Sequence, residues 1–476
     1  MVTWYARRRA FTGPCGQDLA ARLLCTGPVR RAALPVIEHK LRAADGNRDY
    51  DPGWGGIERQ RRLIYLAAAH TVNRLLQRRI LSPHVANVIV RLWTRAFSDP
   101  KTLSTAARFK KVNGVSPPWL ITIGPGKGCY ADSSASDIKI EWSMLDRIVT
   151  DARRLWGIRM VVFSGGEPLM YRSEGKDILD IAARHPECLY LMFTNGTLLD
   201  ARTVSRLAAL GNITVAISVE GLRGKTDSHR GAGVFDAVQN ALSLMRRAGV
   251  PFGVAVSVTR SNQEEVLSQE FLDYFFEKQG AFYGFFFQYM PIGRSPDLGA
   301  VPTPRERLQF WKRAWEVIES RHLLLFDFWN HGPLVEGCVS AGRAGGYIYI
   351  DWNGNVMPCV FTPYAAGNIY TAYASGETLD DIWRAPFLEA VRQWQRDYGF
   401  GQPRPVKSGD WLRPCPIRDH HAEFRRLVQQ FNPIPADESA RLALEDEVCC
   451  DLLVRYGEEL AHLTHDIWER EFIGQR

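Results

Sequence analysis

The chain has 476 residues, more than one simple core accommodates and enough for two or three domains. Hydrophobic residues make up 46% and charged residues 23%, a balance that excludes a disordered or fibrous chain. The formal net charge of +7 gathers near the start, in "ARRRA", "RQRRLIYL" and "LQRRILS", and no nucleic-acid recognition motif accompanies it.

The opening stretch, "MVTWYARRRAFTGPCGQDL", carries charge without an apolar segment, so no secretory signal is expected. The longest aromatic–apolar run, "AFYGFFFQYM", is about half of what a bilayer span needs. A cytoplasmic protein is predicted. Nine cysteines, an odd number spread over a long chain, point to metal or redox chemistry rather than a disulfide framework. Residues 1–115 form a helical region by the spacing of Leu63, Leu66, Leu75, Leu76, Ile80, Val85, Val88 and Leu92. Its basic clusters read as solvated helix faces, with peripheral membrane contact or an acidic partner as the alternative.

After the linker "KKVNGVSPP", six short β-type runs alternate with amphipathic helices: 119–124, 159–164, 188–194, 213–218, 252–258 and 282–290. The alternation predicts a parallel α/β sheet, either doubly wound or a complete or partial barrel. Each run leads into unusual residues at its C-terminal end: "GPGKGCYADSS", "SGGEPLM", "TNGTLL", "SVEG", "TRSN" and "MPIGR". Loops at that end converge on active sites in such folds. Gly165 and Gly166 allow close backbone approach, Glu167 offers an acceptor for an ammonium group, and Pro168 fixes the turn exit. Asn195 lies in the next turn. Ser218 and Glu220 suit ribose or amino groups, and Arg230, in "DSHRGAG", suits a carboxylate.

Farther on, "GCVSAGRAGGYIYIDWNGNVMPC" reads as a β-hairpin turning at Asn353-Gly354, with Cys338 and Cys359 at its two ends. Residues 405–425 read as a loop holding Cys415, with Asp419, His420 and His421 beside it. Three thiols plus a carboxylate or imidazole suit a metal centre, zinc or iron–sulfur. Cys188 opens its strand at the wrong end for the rim. A helical tail closes the chain.

These motifs resemble the radical S-adenosylmethionine (SAM) enzymes that carry a C-terminal SPASM or twitch domain. "SGGEPLM", "FTNGTLL", "ISVEG", "HRGAG" and "SVTRSN" occur in that family's order, and "DWNGNVMPCVF … GNIY … TLDDIW" is similar to its auxiliary-cluster segment. The resemblance implies a partial (β/α)6 barrel of TIM type at 116–335, a SPASM/twitch-like domain at 336–425 with a small β-hairpin, and a helical tail at 426–476. It implies that Gly165, Gly166, Glu167 and Pro168 meet the methionine part of SAM. Ser218, Glu220 and Arg230 would surround its ribose and carboxylate, and the backbone at Met290 its adenine. It implies a 4Fe–4S cluster, an auxiliary iron–sulfur cluster at Cys338, Cys359 and Cys415, a reductase or flavodoxin-type electron donor, and a peptide, protein or tetrapyrrole substrate. The family places three cysteines after the first strand; here "GPGKGCYAD" keeps only Cys129. Reductive SAM cleavage is therefore expected to be lost or impaired. A cluster-less pseudoenzyme binding SAM or a partner protein and a zinc-bearing non-radical barrel are the alternatives.

Overall fold

The computed structural model describes residues 34–36, 38–39, 55–127, 138–291, 297–402, 404–406 and 409–474. Cys129, Cys15 and Cys25 lie outside the described residues. A ten-stranded sheet organises the chain. Its strands are β1 Leu120–Ile123, β2 Met160–Phe163, β3 Leu189–Thr194, β4 Ile213–Val219, β5 Phe252–Val258, β6 Tyr283–Gln288, β7 Leu325–Asp327, β8 Tyr347–Ile350, β9 Asn355–Met357 and β10 Gly367–Asn368. Their order is β10-β9-β8-β1-β2-β3-β4-β5-β6-β7.

Strands β1 to β7 stand in sequence order and pair in parallel. A doubly wound sheet would reverse direction in its middle, so this order is the barrel alternative. The β-branched and aromatic runs suit strands buried on both faces, as in "MVVF" and "FGVAVSV". Helices Trp142–Trp156, Ala201–Leu210 and Val234–Ala248 each end at a glycine with positive φ, which lets the chain turn back into the next strand. On β6 the period of two is explicit. Phe286 faces helix Pro304–Arg321, its ring 5.6 Å from Phe310, while Phe285 and Phe287 face the opposite, lumen side.

The hairpin forms as the sequence predicts, with Tyr349 opposite Met357 and Ile350 opposite Val356. Its first strand also pairs in parallel with β1, from Leu120 opposite Tyr347 to Ile123 opposite Ile350. The C-terminal segment thus extends the barrel sheet, with no gap between them.

Three expectations need correction. Residues 405–425 are not simply a loop: helices run over Pro416–Asp419 and His421–Phe431. The amphipathic helix after the run 159–164 does not follow its turn directly but starts at Ile178, after the strand pair Arg172–Ser173 and Lys176–Asp177, because Asp177 and Asp180 form a capping box there. Strand β7 was absent from the six predicted runs.

The N-terminal helices Pro83–Ser98 and Pro100–Asn113 start at Ser82 and Asp99, whose side chains accept from Val85 and Thr102 amides. Helix Gly55–Gln77 meets the other end of the chain: a Cβ at Gly56 would stand 2.4 Å from the Glu471 carbonyl oxygen. Among the described residues no helix is long and apolar enough to cross a membrane.

Candidate functional site

The C-terminal ends of β1 to β6 share one rim, and the structure shows how its loops hold each other. After β1, the flanks of the segment containing Cys129 are joined: the Lys127 amide donates to the Ile138 carbonyl at 3.0 Å, and the Ile140 amide to the Pro125 carbonyl at 3.0 Å. After β2, Gly165 and Gly166 both adopt positive φ, 114° and 59°. A Cβ at Gly165 would stand 2.8 Å from the Tyr349 hydroxyl and 3.4 Å from the Gly124 Cα, so this turn packs under the hairpin strand β8.

Glu167 clamps two rim loops together. Its Oε1 accepts from the Leu169 amide at 3.1 Å and the Thr194 hydroxyl at 2.8 Å; its Oε2 accepts from the Asn195 amide at 2.8 Å. Burial pushes its pKa up, and the three donors oppose that rise. The carboxylate is thus committed to the protein rather than offered free to an ammonium group. Pro168 starts the short 3-10 turn that Glu167 caps.

Glu220 and Arg230 also act on each other. The Arg230 Nε and Nη2 donate to Glu220 Oε1 at 3.0 and 2.5 Å, with Glu220 buried. The pair offers a ligand a neutralised edge, not the free cation expected from "HRGAG". Asn262, not singled out from sequence, ties the loops after β4 and β5: its Nδ2 donates to the Glu220 and Ser257 carbonyls, each at 2.9 Å. The motif "TRSN" was its signal. Ser218 is partly buried, and its hydroxyl has no partner among the described residues. The Asn195 Oδ1 accepts from Thr197, and its Nδ2 has no partner among the described residues. Met290 is buried where β6 ends. Ser218 and Asn195 thus leave polar groups unspent at neighbouring strand ends.

The lumen below the rim is aromatic. Phe193 lies 5.5 Å from Phe287, which lies 5.6 Å from Phe328 and 6.2 Å from Phe361; Trp329 lies 4.7 Å from Phe361. Phe193, Phe285, Phe287, Phe328 and Phe361 are each only partly buried. The wall runs on to Tyr347, 6.5 Å from Phe328.

Beyond Tyr347 lie the three thiols. Cys338 and Cys359 are partly buried and Cys415 is buried. Burial pushes Cys359 up to about 12 and Cys415 up to about 11. Each is raised further by another thiol of the set: Cys359 by Cys338 and Cys415, Cys415 by Cys338. The three thiols thus lie near enough to raise one another. Thiols this reluctant to ionise need a metal's charge to become thiolates. Two donors already point at Cys359 Sγ, the Tyr347 hydroxyl at 3.1 Å and the Phe361 amide at 3.4 Å. Cys338 Sγ sits 3.1 Å from the Ser340 hydroxyl. Among the described residues no three His, Cys, Asp or Glu side chains converge closely enough for a single metal ion. Three thiolates are the donor type that an iron–sulfur cluster takes, its separate irons binding thiolates farther apart.

The carboxylate and imidazoles beside Cys415 have other work. Asp419 accepts from Arg307 at 2.5 and 3.1 Å and from the Cys415 amide at 3.0 Å, with both charged side chains essentially unexposed. Burial acts to raise its pKa, but Arg307 and Arg418 outweigh it and hold the carboxyl at about 2. His420 sits between Tyr398 and Trp394 and meets the Arg413 carbonyl at 2.8 Å; His421 meets the Ile417 carbonyl at 2.6 Å. Cys188 is buried at the N-terminal end of β3, away from the rim.

A sequentially ordered partial barrel, a ligand rim and a thiol-bearing extension define a cofactor-using barrel enzyme class. Residues 127–268 match the radical SAM superfamily, and residues 338–404 match an iron–sulfur cluster-binding domain of the SPASM type. The two matches mark a radical SAM domain followed by a SPASM domain, and members of that superfamily are enzymes using SAM and iron–sulfur clusters. The chain is 25% identical over 287 residues to the AdoMet-dependent heme synthase of Methanosarcina barkeri, covering 53% of this chain and 78% of that protein. It is 30% identical over 253 residues to the mycofactocin maturase MftC of Mycobacterium ulcerans, covering 50% and 66%. The crystal structure of Streptococcus suis SuiB bound to S-adenosylmethionine matches with a TM-score of 0.50 at 16% identity, over 70% of this chain and 77% of that one; it shares the fold.

The SAM-cleaving cluster does not fit the residues present. Between Leu120 and Glu187 the sequence holds one thiol, Cys129, and three are needed to hold three irons.

Proposed function

We propose that this protein binds SAM at its barrel rim and an auxiliary iron–sulfur cluster at Cys338, Cys359 and Cys415, but has lost most or all capacity for reductive SAM cleavage. The reading is carried by one contrast: the C-terminal part holds three buried or partly buried thiols that raise one another, two of them in the SPASM match, while the loop after β1 offers Cys129 alone. Gly165, Gly166, Glu167, Pro168, Asn195, Ser218, Glu220, Arg230 and Met290 form the SAM subsite. In a relative with a complete loop, a reductase or flavodoxin-type donor would supply the electron.

The substrate class is a flat π-system, a tetrapyrrole, because the partly exposed rings of Phe285, Phe287, Phe328 and Phe361 can stack on a planar face. The heme synthase relative is named for making such a ring system.

Anaerobic reconstitution with iron and sulfide counting tests the cofactor reading. About four irons per chain, SAM binding by calorimetry and no released deoxyadenosine are the expected result. About eight irons with deoxyadenosine production would overturn it. A carboxylate-bearing porphyrin should quench tryptophan fluorescence on titration, and no quenching would overturn the substrate class.

A further inference from the structure

Tyr347 belongs to no ligand set, yet it makes the shorter of two hydrogen bonds to a cluster-site sulfur. It stands on β8, 6% exposed, on the lumen face that also carries Tyr349 two residues on. Its hydroxyl donates to Cys359 Sγ at 3.1 Å. The backbone on both sides fixes this geometry. The Tyr347 amide donates to the Val339 carbonyl at 2.9 Å, and Tyr347 pairs in register with Leu120 of β1. At the other end, the hairpin pairing that sets Met357 opposite Tyr349 delivers Cys359 to the hydroxyl.

A phenol donating to a bare thiol in an apolar pocket gains little. The same phenol donating to a metal-bound thiolate makes a charge-assisted bond, short of competing water and weakly screened. Such a bond withdraws electron density from sulfur. It favours the reduced, more negative cluster and raises its reduction potential.

We propose that Tyr347 is a positioning residue that raises the potential of the auxiliary iron–sulfur centre by hydrogen bonding to the Cys359 thiolate. The inference rests on the proposed auxiliary cluster. A purely space-filling tyrosine would tolerate phenylalanine with no change in potential, and this separates the two roles.

The experiment is an EPR-monitored redox titration of the full, anaerobically reconstituted chain, with iron and sulfide counted on each sample. Tyr347→Phe should retain the wild-type iron content and titrate at a more negative potential. Tyr190→Phe serves as the control, because its hydroxyl donates to the Ile181 carbonyl on the helix side, and it should titrate with wild type. A Tyr347→Phe protein with full iron and the wild-type potential overturns the inference. If Tyr347→Phe fails to retain iron, a fluorinated tyrosine at 347, a stronger donor of nearly the same size, must raise the potential; an unchanged potential then overturns it. A wild-type chain that takes up no iron overturns the proposed cluster itself, and the iron count identifies that outcome.

Discussion

Asp419→Asn is the sharpest perturbation of the C-terminal segment. The wild-type carboxylate lies between two guanidiniums, Arg307 at 2.5 Å and Arg418 at 3.6 Å, with Arg307 1% and the other two side chains 0% exposed. Arg418 has few other polar contacts: its Nη1 reaches the Tyr289 carbonyl at 3.4 Å, its guanidinium stands over the Trp329 and Tyr456 rings, and its Nε and Nη2 have no hydrogen-bond partner among the described residues. Removing this anion takes the shared carboxylate from two buried cations. Breaking a buried pair from one side costs about 3–5 kcal/mol. Removing the cation along with the anion, as in Arg307→Met with Asp419→Asn, should restore part of that loss, a coupling only a shared interaction produces. An exposed pair gives the contrast: Arg59–Glu319 is 57% and 51% exposed, and Glu319→Gln should cost less than about 1 kcal/mol. Urea unfolding at fixed m-value, with circular dichroism as the probe, measures all three. Because Asp419 also accepts the Cys415 amide, the single variant should lose auxiliary iron as well. A loss below about 1 kcal/mol for Asp419→Asn would refute the claim that this ion pair is desolvated and uncompensated when broken.

Two further outcomes follow from the geometry. Burial holds His331 at about 3 instead of 6.5, with its Nδ1 accepting from the Asp327 amide at 3.3 Å. The unfolded chain therefore binds the proton first. Stability is full above 6.5 and falls as pH drops toward 3, by roughly 2 kcal/mol between pH 6.5 and 5. His331→Asn should flatten that slope in a pH series of urea titrations, and an unchanged slope would contradict it. At Gly165, alanine meets both a φ of +114° and the Tyr349 hydroxyl at 2.8 Å, and should cost about 1–3 kcal/mol. Adding Tyr349→Phe should recover the contact part alone in thermal unfolding; complete recovery would show that the backbone conformation carries no strain.

The barrel was legible because its evidence is local. Apolar runs, amphipathic helices and glycine C-caps recur along "MVVF", "LYLMFT" and "ITVAISV", and each strand end carries its own odd residues. What stayed hidden was non-local or short. Strand β7 has three residues and β10 two, below the length at which a period of two is visible. The parallel pairing of Tyr347 with Leu120 joins segments from opposite ends of the barrel, and no sequence pattern encodes it. His420 and His421 looked like ligands because they follow Cys415. Their actual partners, Tyr398, Trp394 and two backbone carbonyls, are set by tertiary packing.

The rim explains how a barrel can keep its SAM-side architecture with a single thiol in the β1 loop. Glu167 joins the β2 and β3 loops, Asn262 joins the β4 and β5 loops, and Arg230 closes on Glu220. None of these bonds involves Cys129 or a metal. Each buried polar group among them is satisfied by protein donors and acceptors, so the loops have no need of a cluster to stay in place. The SPASM thiols are different: raised by burial and by one another, they gain most from a metal. A lineage that lost cysteines from the β1 loop would therefore lose SAM cleavage first. Its rim would keep these bonds, because none of them runs through that loop.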